Sequence, residues 1–578
     1  MRLLILSLLG SSLALGQTES EKLHKLFADA YKGILRESPE TASFIGEPGY
    51  NDKWSDLSDA GLQRELQFYS QNLKAIATID KSKLNDTDRI NYDLFRRYFE
   101  KKREQHEFDS LYMLANQMYG IHLRISITLA QSPAFTLKDF EDRIARMKAA
   151  TALIDQSIAL LNKGLAKGIS PPQITLRYLP AQIEGQTPAD PAKSPLLAVF
   201  EKIPSRIPAA DRDRLKTQAA KTYTESLAPA LRRFHAYLQQ TYIPKARTST
   251  ALKDMPNGPE WYAMQVRLMT TTSLTPQQIH DIGLREVTRI RSKMEAIREQ
   301  AGYKGTLEEF QRHITEAPEF HYKTKEELLA GYREIAKRAD PEIPKLFGKL
   351  PRMPYGVVAI PDHEAEASAA HYTPPSSDGT RAGYFHAKTY KPEAIAKWTM
   401  PSLVLHESVP GHHLQIALAL EQPDTPDFRK AWILSAFAEG WGLYAESLGD
   451  EMGLYNDPYS KFGQLNSELF RACRLVIDTG LHQLGWSRQQ AIDYFLKNTG
   501  DTRVSEVDRY IAWPGQALSY KIGELKIKEM RALAEKSLGG RFNLRDFHDL
   551  VIGNGSLPLD LLEERVKGWI ERQQSLHR

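Results

Sequence analysis

Leu403-Val404-Leu405-His406-Glu407-Ser408-Val409-Pro410-Gly411-His412-His413-Leu414-Gln415-Ile416-Ala417-Leu418 carries three imidazoles and a carboxylate inside an apolar run. The run is helical in period, and Met400-Pro401 after Thr399 gives it a plausible start. A partner for His406 on the same helix face would stand at position 410, which is Pro410. His412, six residues on, would lie about 240° round and about 9 Å along a regular helix, too far to share one ion with His406. Pro410 cannot donate a backbone hydrogen bond, and its ring crowds the carbonyl of His406. Gly411 permits torsions that other residues avoid. Together they predict a bulge or widened turn in a helix continuing to about Leu420, which returns His412 to the His406 side. His413, seven residues on, faces the same way as His406 if the helix stays regular, and is the competing ligand. Imidazole and carboxylate suit a borderline ion such as zinc. Glu407, next to the first ligand, stands where a general base for a metal-bound water belongs.

A catalytic zinc typically takes three protein ligands and keeps one position open. The next apolar-periodic segment, expected to be helical over 428–448, contains Phe437-Ala438-Glu439-Gly440-Trp441-Gly442-Leu443-Tyr444-Ala445-Glu446. Glu439 and Glu446 are seven residues apart and share a face with Ser435, Gly442 and Leu443. Glu439 is the expected third ligand of a single ion. Glu446 is expected to support the shell by hydrogen-bonding a histidine ring. Gly440 and Gly442 allow a backbone or a ligand to come close.

Working outward, most of the chain has helical period, as in Leu62–Tyr69 and Phe140–Met147. Thr275-Pro276-Gln277-Gln278 reads as an N-cap, a proline at the first helical position and a capping-box glutamine. Two short stretches break the pattern. Tyr355–Ile360 and Gly383–Tyr390 read as strands, joined by the turn-rich Thr373–Gly379. The fold expected is mainly α, a large helical body with a small β-sheet beside the metal-binding helix. Pro244–Pro259 reads as a linker or long loop. It separates an N-terminal helical region, 17–250, from a catalytic region, 251–578.

Residues 1–16 read as a secretion signal: a short positive start at Met1-Arg2, an apolar Leu3–Leu15, and a small-residue cleavage site at Ala14-Leu15-Gly16. The run is shorter than the roughly 20 residues of a spanning helix, so no stable membrane insertion is expected after cleavage. The destination is periplasmic or secreted. The single cysteine, Cys473, lies far from the cleavage point in an apolar-periodic segment. It is expected to be a packed thiol, leaving no internal disulfide. The 578 residues are 42% hydrophobic and 26% charged, an ordinary globular composition with a large core. An excess of 76 basic over 72 acidic residues, without a dense basic block, argues against nucleic-acid partners.

The chain resembles the bacterial family catalogued as domain of unknown function 885, grouped with the gluzincin metallopeptidases. The resemblance rests on 406–415, on Glu439-Gly440-Trp441-Gly442-Leu443-Tyr444-Ala445-Glu446, on Arg474–His482, on Arg509–Gly523 and on Arg36-Glu37-Ser38-Pro39. It implies a helical, deep-cleft peptidase with a glutamate as third zinc ligand. Relatives in that clan carry His-Glu-x-x-His. Two extra residues precede Gly-His here, and aligning the shared Gly-His pair makes His412 the ligand. The resemblance further implies that Gly383–Tyr390 is an edge strand that pairs with extended substrate. It also implies a late tyrosine, Tyr510 or Tyr520, as donor to the oxyanion. Arg474, Arg509 and Lys521 are candidates to hold a peptide carboxylate, and His482 to orient substrate. Pro514-Gly515 before Gln516 marks a tight loop entering the cleft. The function expected is zinc-dependent hydrolysis of short peptides by metal-activated water, with Glu407 as base. The alternatives are a zinc amidohydrolase acting on a non-peptide amide, and a non-catalytic metal-binding scaffold. Oligomeric state is not legible in the sequence.

Overall fold

The computed structural model describes residues 17–361, 369–376, 379, 381–423, 425–430 and 432–575. The signal read at 1–16, and Ser377 and Asp378 of the turn-rich connection, lie outside these. The described residues are mainly helical, with one three-stranded sheet. No described helix is long and apolar enough to cross a membrane.

Local signals act as the sequence predicts. Thr275 caps the helix Pro276–Gln300: its hydroxyl accepts from Gln278 N at 3.2 Å, and Gln278 Oε1 accepts from Thr275 N at 2.9 Å. That helix packs along Pro458–Thr479, the Arg474 helix. The contact is close at Gly283, where a methyl group would lie 2.8 Å from Leu475 Cβ. Cys473 is a buried free thiol in this layer. The stretch after Lys245 is irregular as far as Asn257 apart from a turn at Leu252–Asp254, and Arg247 ties it down by bonding the carbonyls of Ser170, Ser249 and Ala251.

Among the hydrophobic cores of the described residues, two set the long-range layout. One draws its buried side chains from 115–246, with Trp54 and Leu57 packed against it. The other joins Leu23, Phe27, Phe95 and Phe99 to Leu405, Leu414, Phe437, Trp441 and Tyr444, and onward to Ile527 and Phe547. The helices of the histidine and glutamate segments therefore run through the interior. Helix Ser435–Ser447, the Glu439 helix, is buried on nearly all sides. It crosses Ser519–Leu538, the Tyr520 helix, at Gly440 and Gly523. A methyl group on Gly440 would lie 2.5 Å from Gly523 Cα, and one on Gly523 would lie 2.1 Å from Ala436 O. Only glycine permits this crossing.

Strand β1 (Tyr355–Ala359) is parallel to β3 (Gly383–Ala387), and β2 (His371–Thr373) is antiparallel to it. The sheet packs through Val357, Phe385 and Ala387 on Met400 and Val404, beside the histidine segment. Gly383–Ala387 is the central strand, not an edge. Both its sides are hydrogen-bonded, so it has no free ladder for a substrate strand. The strand that closes it, β2, begins at His371 and ends within the connection read as turns alone.

The histidine segment departs from the expected bulge. It forms two helices, Met400–Glu407 and His412–Leu420, with a complete break between. Ser408 (φ −104°, ψ −118°) and Gly411 (φ −78°, ψ −128°) are non-helical, and the Val409–Pro410 peptide is cis. The expected helix over 428–448 is also interrupted. Residues 432–434 are not helical: Leu434 is extended, its N–H is taken by Ser556 Oγ at 3.1 Å, and the Glu439 helix begins at Ser435.

Candidate metal centre

The break turns the chain sharply and leaves few loose ends. Ser408 N donates to Val404 O at 2.8 Å, His413 N to Ser408 O at 3.0 Å, and Gln415 N to Gly411 O at 3.1 Å. The Trp441 indole reaches across from the Glu439 helix and donates to Pro410 O at 2.8 Å. A methyl group on Gly411 would lie 2.0 Å from His406 O, so the chain folds back onto the first helix only with glycine there. Val404, Leu405 and Leu414 flank the turn, fully buried, and each stabilises it by about 1.5–3 kcal/mol.

This turn brings His412 beside His406, with ring centroids 4.7 Å apart. Glu439 Oε2 faces both, 3.4 Å from His406 Nε2 and 3.5 Å from His412 Nε2. Among the described residues these three form the one group whose donor atoms converge as a metal site requires. The spacing is itself informative. Zinc bonds of about 2.0–2.1 Å at a tetrahedral angle set neighbouring donors about 3.4 Å apart. A charge-assisted N–H···O contact would close to about 2.7–2.9 Å. The donors therefore stand where an ion between them would hold them.

The surroundings match. His406 is 3% exposed, and its Nδ1 bonds Glu446 Oε1 at 2.8 Å, which directs Nε2 toward Glu439 and His412. Burial alone would lower the His406 pKa. The carboxylates of Glu439 and Glu446 outweigh it and raise it to about 10 in the metal-free protein. Glu439 feels burial in the opposite sense, yet the two histidines hold it well below the usual carboxylate range. Glu446 is fully enclosed and is likewise lowered, against burial, by Arg471 at 3.4 Å and by His406. Gly442 makes room for this packing: a methyl group there would lie 2.6 Å from His406 Cε1. Glu407 is buried, and among the described residues its carboxylate has no hydrogen-bond partner. Burial raises its pKa, opposed by His412 and His406.

The other candidate residues divide. Tyr520 belongs to the site: its ring stacks on His406 at 6.4 Å and 19°. Tyr510 stands one layer back, its hydroxyl donating to Glu506 at 2.9 Å and accepting from Arg474 Nε at 3.0 Å. Arg474 and Arg509 both reach Tyr520, Arg474 over its ring at 4.3 Å and Arg509 to its hydroxyl at 3.5 Å. His413 is turned away. Its Nδ1 accepts from the Tyr372 hydroxyl at 2.9 Å and its Nε2 donates to Met353 O at 3.1 Å, so neither nitrogen is left for an ion. His482 is spent on backbone: Nδ1 accepts from Leu252 N and Nε2 donates to Tyr510 O. Lys521 is fully buried in a cage of Glu468 and Glu524 at 2.6 Å and Glu286 at 3.0 Å, with nothing left for substrate. The Pro514-Gly515 turn is held by Asp478, which accepts from Gly515 N at 3.0 Å.

Sequence reasoning missed Arg471 and Glu506. The i, i+3 spacing of Arg471 and Arg474 was the available signal that both point to one face.

The fold is shared with solved structures. A protein from Colwellia psychrerythraea, described as a lipoprotein, superposes with a TM-score of 0.89 at 28% identity, covering 96% of this chain and 100% of its own. A protein from Shewanella oneidensis, described as a lipoprotein of unknown function, gives a TM-score of 0.75 at 17% identity over 95% of this chain and 99% of its own. No curated protein matches. The sequence profile described as bacterial protein of unknown function (DUF885) matches residues 39–566, and the chain belongs to that family.

Proposed function

We propose that this protein is an exported, zinc-dependent metallopeptidase of the gluzincin type, cleaving short peptides in a cleft of its helical body. The observation that carries the reading is the His406–His412–Glu439 triangle at metal-ligand spacing, with Glu407 beside it, unpartnered among the described residues. A bound zinc would acidify a water and polarise the scissile carbonyl. Glu407 takes the proton of the attacking water and passes it to the leaving amine. Burial pushes its pKa up, the direction that suits a carboxyl serving as base and then acid. Glu446 fixes the His406 tautomer so that Nε2 is the free donor. Tyr520, stacked on His406, is the candidate donor to the developing oxyanion, since the Tyr510 hydroxyl is engaged with Glu506 and Arg474.

Export rests on the signal read at 1–16 and on the description of both structural neighbours as lipoproteins. The one cysteine here, Cys473, is buried and is no site for a lipid.

The test is digestion of a mixed short-peptide library by the mature protein beside its Glu407→Gln variant, read by mass spectrometry with metal content measured. Cleavage that disappears in the variant at equal metal content supports the reading. A metal-loaded wild type that cuts nothing overturns it.

A further inference from the structure

The wall of the metal centre at Tyr520 is built from arginines. Arg474 lies over the Tyr520 ring at 4.3 Å and Arg471 at 5.9 Å, and Arg509 Nη2 is 3.5 Å from its hydroxyl. Arg503 joins them across Phe470, whose ring has the guanidinium carbons of Arg503 and Arg474 at 4.2 and 4.3 Å. These side chains come from the Arg474 helix, from Val504–Ala512 and its N-cap Arg503, and from the start of the Tyr520 helix.

Their charge is only partly answered. Arg474 and Arg509 share one carboxylate, Glu506, at 2.8 and 3.6 Å. Arg471 touches Glu446 at 3.4 Å, but Glu446 already serves His406. Arg503 has Asp501 only at 3.9 Å. The other acids near this wall, Glu407 and Glu439, belong to the metal centre. Each arginine also keeps a buried nitrogen with no hydrogen-bond partner among the described residues: Nε of Arg471, Arg503 and Arg509, and Nη1 of Arg474. Arg474 is itself 4% exposed. A buried guanidinium N–H left unpaired is costly, and planar N–H donors match a carboxylate closely.

We propose that Arg474, Arg509 and Arg471 bind the C-terminal α-carboxylate of a peptide, and that the protein is an exopeptidase releasing short C-terminal fragments. The proposal deepens the peptidase reading and rests on it. The length follows from two contacts. His406 to Tyr520 is 6.4 Å and Tyr520 to Arg474 is 4.3 Å. An extended chain covers about 3.3–3.6 Å per residue, so the carboxylate lies within about three residues of the cleaved bond. The reaction is plain hydrolysis. The acyl carbon gains the oxygen of water, the C–N bond breaks, and the departing amine gains the proton. No co-reactant is required.

The test separates binding from turnover. Zinc-loaded full-length Glu407→Gln protein is titrated calorimetrically with N-acetyl-tetraalanine as the free acid and as the C-terminal amide. The acid should bind roughly 10–100-fold more tightly. Adding Arg509→Gln, or independently Arg471→Gln, should erase that preference while thermal unfolding stays cooperative. Wild type should cleave the acid and leave the amide. Equal binding of acid and amide overturns the proposal, as does equal cleavage of both by the wild type, which would leave the peptidase reading standing. An acid preference in a wild type that cleaves no peptide keeps the carboxylate site and sinks the peptidase reading.

Discussion

Gly442→Ala isolates the geometry of the metal centre from the stability of the fold. The added methyl group would stand 2.6 Å from His406 Cε1, 2.8 Å from Nε2 and 3.0 Å from Nδ1, where ordinary contact is 3.4–4 Å. The imidazole must retreat by about 1 Å. It is 3% exposed and anchored by Glu446 at 2.8 Å, so it cannot retreat without leaving Glu439 and His412. Overpacking of this kind costs about 1–3 kcal/mol. Replacing a mid-helix glycine by alanine returns about 1 kcal/mol of helix propensity. The metal-free variant should therefore be only about 0–2 kcal/mol less stable than wild type. Zinc affinity should fall much further, by roughly 10–100-fold, the loss typical when a ligand's supporting shell is disturbed. The assay is a chelator-competition titration with zinc, run beside thermal unfolding of the metal-free proteins. Gly540→Ala, whose methyl group meets nothing within 4 Å, is the control. A Gly442→Ala protein that binds zinc as tightly as wild type would refute the placement of His406 as a ligand held against the Glu439 helix.

Further tests address individual residues. His412→Ala should abolish stoichiometric zinc. His413→Ala should keep it while losing about 1–3 kcal/mol by leaving the Tyr372 hydroxyl and Met353 O unpaired, and metal analysis with thermal unfolding reads both. Lys521→Met takes a cation from the buried Glu468 and Glu524 and the half-buried Glu286, which keep Arg289 and Lys528 as partners, and should cost about 1.5–3 kcal/mol, with zinc per folded molecule unchanged. Glu506 is pushed up by burial but held down to about 2, below its ordinary 4.5, by Arg474 and Arg509. Its stabilisation is thus fully present above pH 4.5 and lost as pH falls toward 2. Glu506→Gln should cost about 2–3 kcal/mol at neutral pH, and urea unfolding should show that difference shrinking only below pH 4.5. A difference independent of pH would remove Glu506 from the arginine wall.

Signals carried within one or two turns of a helix were readable from the sequence, and most of those completed by another element were not. Thr275 and Gln278 cap each other three residues apart, and Glu439 and Glu446, seven apart, reach opposite nitrogens of one imidazole. Pro410-Gly411 announced an interruption but not its extent, because the turn is completed by the Trp441 indole on another helix. The central place of Gly383–Ala387 depends on a three-residue partner strand too short to carry a pattern. The late start of the Glu439 helix depends on Ser556, and the burial of Lys521 on Glu286 and Glu468. Lysine and arginine near a motif read alike until their partners are known.

The glycine crossing bears on how the molecule moves. Gly440 and Gly523 bring the Glu439 and Tyr520 helices into backbone contact, at the residue next to Glu439 on one side and three residues from Tyr520 on the other. With no side chain between them to change rotamer, the two helices have little freedom to slide and travel as a single lever. The separation between metal ligand and aromatic wall is thus a fixed ruler. Any opening that admits substrate or releases product must be hinged on other elements around this pair.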